Sequence, residues 1–307
     1  MQIYISGSLA YDRIMDFPGR FGDHILPEKI HILNVCFIVD GLREKFGGTA
    51  GNIAYSLALL GEHPLILSVC GVDFDRYRAW LARHGLSLEG VREIEHELTA
   101  AAFITTDKSD NQITAFHPGA MNHTSDYNFN GVPKEGALAI VSPGNLNDMY
   151  NYSRTYARRN IPYIFDPGQN TNAFSSQELI EMITGSEMLI SNDYELEMIQ
   201  KTTGLDRESL LEKTRAIVTT LGEHGSLVAT REGLTAVPAA RPDRVMDPTG
   251  AGDAYRAGLL KGLVLGWDLA TAARVGSVCA SFAVEQYGTQ EHSFTQDEFW
   301  ARYKENF

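Results

Sequence analysis

Late in the chain, Met246-Asp247-Pro248-Thr249-Gly250-Ala251-Gly252-Asp253-Ala254-Tyr255-Arg256-Ala257-Gly258 sets two glycines around one small residue and follows them at once with a carboxylate. An apolar, helix-like run then continues to Leu265. Glycine lets the backbone turn until successive N–H groups converge, and a helix starting there adds the positive end of its dipole. Such a turn holds an anion. Asp253, one residue past the turn, is placed to accept a proton from a nucleophile attacking the held group. Gly250, Ala251 and Gly252 as anion cradle with Asp253 as base meet the needs of phosphoryl transfer to an alcohol. That reaction requires charge stabilisation at the phosphoryl oxygens and a base that orients the hydroxyl. A plain helix start with an acidic first turn fits the same residues. Two other phosphate patterns do not. The dinucleotide fingerprint needs glycine where Tyr255 stands, and the Gly-Lys pair of a Walker loop occurs nowhere in the chain.

Three further groups of residues offer chemistry. Gly47-Gly48-Thr49-Ala50-Gly51-Asn52 opens a helix; its glycines permit close approach of a ligand, and Asn52 adds a donor and an acceptor. Short rigid polar partners of this kind suit the vicinal hydroxyls of a sugar, although a helix entry shaped for packing reads the same way. Asp12, in Gly7-Ser8-Leu9-Ala10-Tyr11-Asp12, follows the first strand, where doubly wound sheets collect ligands. It could accept two ribose hydroxyls or be a solvated loop carboxylate. Asn192-Asp193-Tyr194-Glu195 follows a strand and suits Mg²⁺ through water near phosphates, or a helix cap with Glu195 at the third helical position. Thr219-Thr220-Leu221-Gly222-Glu223-His224-Gly225 is a strand running into a glycine turn, able to meet a nucleotide through backbone groups or to serve only as a turn.

The elements that must position these residues alternate. Strands are expected at Leu138–Ser142, Pro162–Asp166, Met188–Ser191 and Ala216–Thr220, with helices at Leu146–Arg159, Ser176–Thr184 and Asp193–Thr203 between them. Short strand–helix connections favour right-handed βαβ units and a mostly parallel sheet covered on both faces. Ser226–Thr230 and Leu234–Val237 flank a hairpin turn, and helices follow at Gly250–Leu265, Leu269–Glu285 and Gln296–Asn306. Earlier, a strand at Ile3–Ser8, a helix at Thr49–Leu60, a strand at Leu65–Cys70 and a helix at Phe74–Arg83 belong to the same body. Strand-like runs at Ile30–Val39, Ala100–Thr106 and Gln112–His117, the last two joined by the polar turn Asp107-Lys108-Ser109-Asp110-Asn111, do not. The expected architecture is a three-layer α/β/α body with a mostly parallel central sheet. Two separate segments, about 10–46 and 98–118, emerge from it to build a small β lid.

Composition narrows the partners. The 307 residues, 44% hydrophobic and 21% charged, suit one large or two small domains of an ordinary globule. A formal charge of −13 argues against nucleic acid or an anionic membrane, so a polyphosphate must be held locally by backbone N–H groups, Mg²⁺ and a few cations. Cys36, Cys70 and Cys279 are too scattered for a disulfide framework or a Cys-rich metal site, and the nine histidines show no H-E-x-x-H or similar ligand spacing, so zinc is not expected. The start of the chain lacks a signal-peptide pattern, and no apolar run approaches the ~20 residues that cross a bilayer. A reduced cytoplasmic protein is expected.

Taken in order, Gly-Gly-x-x-Gly-Asn early, Asn-x-x-Glu in the middle and Asp-Pro-Thr-Gly-Ala-Gly-Asp-Ala late resemble the ribokinase-like (PfkB) carbohydrate kinase family over nearly the whole chain. Within it the sequence is similar to bacterial nucleoside kinases of the adenosine kinase type. That likeness rests on Gly7–Asp12, Phe17-Pro18-Gly19-Arg20-Phe21, Ile25-Leu26-Pro27, Phe46-Gly47-Gly48, Phe116-His117-Pro118-Gly119-Ala120-Met121 and Asp166-Pro167-Gly168-Gln169. The resemblance implies one ribokinase-like kinase domain over 1–307 with its discontinuous lid. It implies Asp253 as general base on a primary hydroxyl and Gly250, Ala251 and Gly252 as anion hole. Asp12, Gly48 and Asn52, with Ser8 and Gly47 beside them, would hold ribose hydroxyls. Asn192 and Glu195 would organise Mg²⁺ and phosphates, and Thr220, Gly222 and Gly225 would lie along ATP. Asp247 and Thr249 match positions where many relatives hold a monovalent cation such as K⁺. Phe37, Phe116 and Gln169 are the candidates for base recognition, by stacking and an amide hydrogen bond. The implied activity is ATP-dependent 5′-phosphorylation of a purine nucleoside, adenosine first. Ala173, where some adenosine kinases carry Arg, leaves inosine and guanosine open. A kinase for free ribose or a hexose is the alternative, and a catalytically silent nucleotide sensor a third class that the intact Asp253 and cradle oppose. A homodimer through the lid strands is also expected.

Overall fold

The computed structural model describes residues 1–25, 31–32, 34–109, 111–130 and 135–307. In chain order the strands of the first half are β1 (Gln2–Ser6), β2 (Ala10–Asp16), β3 (Asp40–Gly47), β4 (Leu65–Gly71), β5 (Val91–Ile94), β6 (Ala100–Thr106) and β7 (Gln112–His117). The second half adds β8 (Ala137–Val141), β9 (Tyr163–Phe165), β10 (Met188–Asn192), β11 (Ala216–Thr220), β12 (Ser226–Thr230) and β13 (Gly233–Val237). The helices are α1 (Thr49–Leu59), α2 (Asp75–Arg83), α3 (Leu146–Arg159), α4 (Ser176–Ile183), α5 (Asp193–Thr203), α6 (Arg207–Leu211), α7 (Ala251–Val264), α8 (Leu269–Ala283) and α9 (Gln296–Asn306).

Continuous apolar runs such as Leu138-Ala139-Ile140-Val141 mark strands buried on both faces, and they assemble one nine-stranded sheet in the order β13-β12-β11-β10-β9-β8-β1-β4-β5. From β11 to β5 neighbours run parallel, while β11, β12 and β13 form an antiparallel meander. Alternate side chains serve opposite layers. Ile3, Ile5, Ile164 and Ile190 pack with Ile53 and Leu57 of α1, Leu259 and Leu260 of α7, and Ala272 of α8. Tyr4, Tyr163, Phe165 and Leu189 face the other way, into Tyr156 of α3, Met182 of α4 and Ile199 of α5. The fold is therefore the expected three-layer body.

A second sheet stands apart, in the order β3-β2-β6-β7. Two antiparallel pairs, β2/β3 and β6/β7, are joined by a parallel pairing of β2 with β6. Its strands come from the two segments expected to leave the body. One element within them differs. No described residue of the run 30–39 lies in a strand; the strands are instead Ala10–Asp16 and the polar Asp40–Gly47, whose mostly exposed side chains hide any alternation. Ile30 and Leu33 of that run, Leu26 and Pro27 of the Ile25-Leu26-Pro27 motif, and Asp110 of the polar turn lie outside the described residues. The short β5 and the five-residue α6, capped by Asp206, add elements that the sequence pattern did not mark.

Because so many parallel strands end on one side, their following loops meet there. Ser8 after β1, Pro143 and Gly144 after β8, Asp166 after β9, Asn192 closing β10 and Thr220 closing β11 all face one cavity.

Candidate active site

That cavity encloses about 790 Å³ at the carboxyl ends of the strands. Asp253 lies in its wall, in the first turn of α7, which begins after Gly250 in the left-handed conformation (φ 81°). Asp253 Oδ2 accepts a hydrogen bond from Asn52 Nδ2 at 2.8 Å. The orientation of that amide is dictated from further away. The Trp80 indole N–H, a donor only, binds Gln290 Oε1 at 2.9 Å. The Gln290 amide nitrogen must then face Asn52 Oδ1, 3.0 Å away, which turns the Asn52 amide nitrogen toward Asp253. Asp253 Oδ1 has no hydrogen-bond partner among the described residues. Burial pushes the Asp253 carboxyl up to about 6, against the opposing pull of Arg256 and of the Asn52 hydrogen bond. Asp12, on β2 in the same cavity, is likewise pushed up to about 6 by burial, with Asp247 adding repulsion.

Beside Asp253 sits a charge pair. Arg256 is buried and grips Asp166 with two bonds, Nε to Oδ2 at 2.5 Å and Nη2 to Oδ1 at 2.8 Å. Its third nitrogen, Nη1, donates to the carbonyl of Gly252 at 3.0 Å, so the guanidinium braces the glycine turn from beneath. The surrounding carboxylates Asp166, Asp253 and Glu195 hold it protonated. Sequence patterns did not single out Arg256, yet a charge inside an apolar helical run is itself a signal, because a buried ion requires a partner.

The residues expected to hold a sugar gather beside Asp253 in the same cavity. Ser8, Asp12, Gly48 and Asn52 line the cavity together, with Thr49 between. Gly48 has φ 87°, and a Cβ there would come within 2.5 Å of the Ser8 carbonyl oxygen. Ser8 Oγ in turn accepts the Thr49 N–H at 3.0 Å, starting α1 from a distant segment. Gly47 is not in the wall; it lies behind Asp12, whose carboxylate would be 2.6 Å from any Cβ added there. Of the base-recognition candidates, half-exposed Phe116 and Gln169 line the cavity. Phe37 does not. Its ring packs against Phe17 and Phe21, with centroids 4.7 and 5.1 Å away, so it belongs to a small aromatic cluster instead. Met121, which no pattern marked, takes a place in the wall near Phe116 in sequence.

Asn192, Glu195, Thr220, Gly222 and Thr249 also line the cavity. Both readings of Asn192 and Glu195 coexist. Glu195 Oε2 accepts the Asn192 N–H at 2.8 Å and Asn192 Oδ1 accepts the Glu195 N–H at 2.7 Å, a reciprocal helix cap exposed to the cavity. Burial raises the Glu195 carboxyl. Two expected residues stand outside the wall. Gly225 is buried in a turn so tight that a Cβ would meet the Val237 carbonyl at 2.1 Å. Asp247 staples the loop before α7, accepting from the Thr249 N–H at 2.9 Å and the Gly288 N–H at 3.1 Å.

A glycine turn opening a helix beside a buried carboxylate, at the carboxyl edge of a parallel sheet, is an arrangement suited to a phosphotransferase acting on an alcohol. The chain belongs to the pfkB family of carbohydrate kinases, whose family model matches residues 23–296. Its fold is ribokinase-like. It is 32% identical over 275 residues to a nucleoside kinase of Methanocaldococcus jannaschii, covering 88% of this chain and 89% of that protein. The structure of Burkholderia thailandensis nucleoside kinase in complex with inosine superposes with a TM-score of 0.88 at 40% identity, over 99% of this chain and 98% of that one. The same kinase in complex with ADP-inosine gives 0.86 at 42% identity, over 99% and 96%.

Removing one partner of the Arg256–Asp166 pair leaves a buried charge alone. Asp166→Ala should therefore cost about 3–5 kcal/mol of stability in urea denaturation, and adding Arg256→Met should recover part of the loss. A cost below about 1 kcal/mol would show that the pair is not what holds this end of α7.

Proposed function

We propose that the protein is an ATP-dependent nucleoside kinase that phosphorylates the ribose 5′-hydroxyl of a purine nucleoside. The observation that carries this reading is Asp253, anchored through one oxygen by Asn52, with the glycine cradle before it and Asp12 and Phe116 in the same cavity. The likeness to one kinase solved with inosine and with ADP-inosine supports both the nucleoside and ATP as phosphoryl donor. Adenosine, inosine and guanosine are the candidate substrates.

In this reading the Asp12 carboxylate accepts ribose hydroxyls, with Ser8, Gly48 and the second Asn52 N–H alongside, while Phe116 stacks on the base and the Gln169 amide reads its edge. Asn192, Thr220 and Gly222 hold the nucleotide. Glu195 Oε1 has no hydrogen-bond partner among the described residues, which fits Mg²⁺ held through water. When bound, that ion would offset charge on the phosphates. Asp247 keeps a lone pair on each oxygen for a monovalent cation beside the loop. Asp253 takes the hydroxyl proton as the 5′-oxygen bonds to the γ-phosphorus, the bond to the β–γ bridging oxygen breaks and ADP leaves. The N–H groups of Gly250, Ala251 and Gly252 meet the charge that develops, the Ala251 N–H leaving its bond to the Pro248 carbonyl, and Arg256 fixes the Gly252 carbonyl. The small sheet acts as a lid on a single kinase domain spanning 1–307, excluding water that would otherwise hydrolyse ATP. Its outer strands β3 and β7 expose Leu42 and Ile113, and through them we place a homodimer. Free Cys36, Cys70 and Cys279 fit a reducing cytoplasm; among the described residues no helix is long and apolar enough to cross a membrane.

Four measurements test this reading. Asp253→Asn should lower kcat by about 10²–10⁴-fold with nucleoside binding kept, and kcat/KM of the parent should fall below pH about 6 as Asp253 and Asp12 take up protons. Unaltered turnover in the variant would remove Asp253 as base. A panel of adenosine, inosine, guanosine, cytidine, ribose and fructose 6-phosphate with ATP should show purine nucleosides turned over fastest, whereas activity on sugars alone would defeat the nucleoside claim. Sedimentation at assay concentration should give a dimer; a monomer would overturn the pairing.

A further inference from the structure

Outside the cavity, the two connections between the small sheet and the body carry a cluster of ligand-type side chains. Residues 95–99 lead from β5 into β6, and residues 118–123 lead from β7 back toward the body. Backbone bonds fix the two against each other and against the large sheet. The Ala120 N–H donates to Leu98 O at 2.8 Å, the Val72 N–H to Glu97 O at 2.9 Å, and the Thr99 N–H to Asp73 Oδ1 at 2.7 Å. Ala120 is buried with Val69 and Ile94.

On this frame His96, Glu97 and His123 each bring one ligand atom to within 4.8 Å of the others. His123 Nε2 lies 3.6 Å from Glu97 Oε1, too far for a hydrogen bond. The rings of His96 and His123 stand perpendicular, with centroids 5.6 Å apart. Four bonds of about 2.1 Å to a tetrahedral Zn²⁺ set neighbouring ligand atoms roughly 3.4 Å apart. The His123–Glu97 spacing is already near that edge, and exposed His96 needs only side-chain rotation to close the third corner. Two imidazoles and a carboxylate select Zn²⁺ over Mg²⁺, which prefers oxygen ligands.

We infer that His96, Glu97 and His123 form a Zn²⁺ site, completed by water, that ties together the two connections of the small sheet. Met121, two residues before His123, lines the cavity, so the ion fastens a segment that also forms the cavity wall. The inference does not depend on the substrate proposed above.

The test uses chelator-treated full-length protein without nucleotide, titrated with Zn²⁺ by calorimetry and with Co²⁺ by visible absorption. The parent should take up one equivalent of Zn²⁺ and give the intense bands of tetrahedral Co²⁺. His96→Ala and His123→Ala, each folded by circular dichroism and active with Mg²⁺ and ATP, should lose both. In the parent only, Zn²⁺ should slow amide exchange in β6 and β7. Undiminished uptake by the variants would place the ion elsewhere and overturn the site, as would no uptake by the parent. Uptake with unchanged exchange in β6 and β7 would overturn the tie.

Discussion

A guanidinium withdrawn from water must be answered by fixed polar atoms, and at Arg256 that requirement organises three parts of the site together. Asp166 supplies both of its oxygens from the end of β9, and the Gly252 carbonyl supplies a third acceptor from the glycine turn. The strand end, the first turn of α7 and the cradle are thereby held in one geometry. Burial pushes the neighbouring Asp253 toward its neutral form while the same cation pulls the other way, and the balance leaves it at about 6. A base needs that compromise: it must be charged at working pH yet basic enough to accept a proton.

The second constraint is directional rather than electrostatic. Because an indole nitrogen only donates, Trp80 settles the orientation of Gln290, and Gln290 settles that of Asn52. Asp253 thus receives an amide N–H and not a repelling carbonyl. Tyr77 closes the arrangement, accepting from the other Gln290 N–H at 2.5 Å and donating to the Gly47 carbonyl at 2.8 Å. The glycine loop is thereby linked to Asp253 through Tyr77 and Gln290, which lie outside the cavity wall, and through Asn52, which lines it.

Much of this was readable in the chain because the body is built from strong local signals. The runs Ala100–Thr106 and Gln112–His117 and the helices 146–159, 193–203 and 296–306 sit where their patterns put them. Gly250 opens α7 in the left-handed conformation that favours glycine, and Asp12, Asn52 and Asp253, drawn from three separate motifs, share one cavity. What escaped was set by long-range contact. Asp40–Gly47 becomes a strand because it pairs with β2, not through any alternation of its own. Phe37 is aromatic like Phe116, yet it is drawn into contact with Phe17 and Phe21, a choice that composition cannot reveal. Arg256 and Gln290 matter through partners ninety and more positions distant in sequence.

The parallel pairing of β2 with β6 sets an order of assembly. Ala10 meets Ala100, and between them the chain must complete α1, β4, α2 and β5 before the two strands can align. A pairing so non-local gains nothing until the intervening loop has been closed by structure elsewhere. The small sheet should accordingly mature last during folding, on a scaffold whose central strands are already in register.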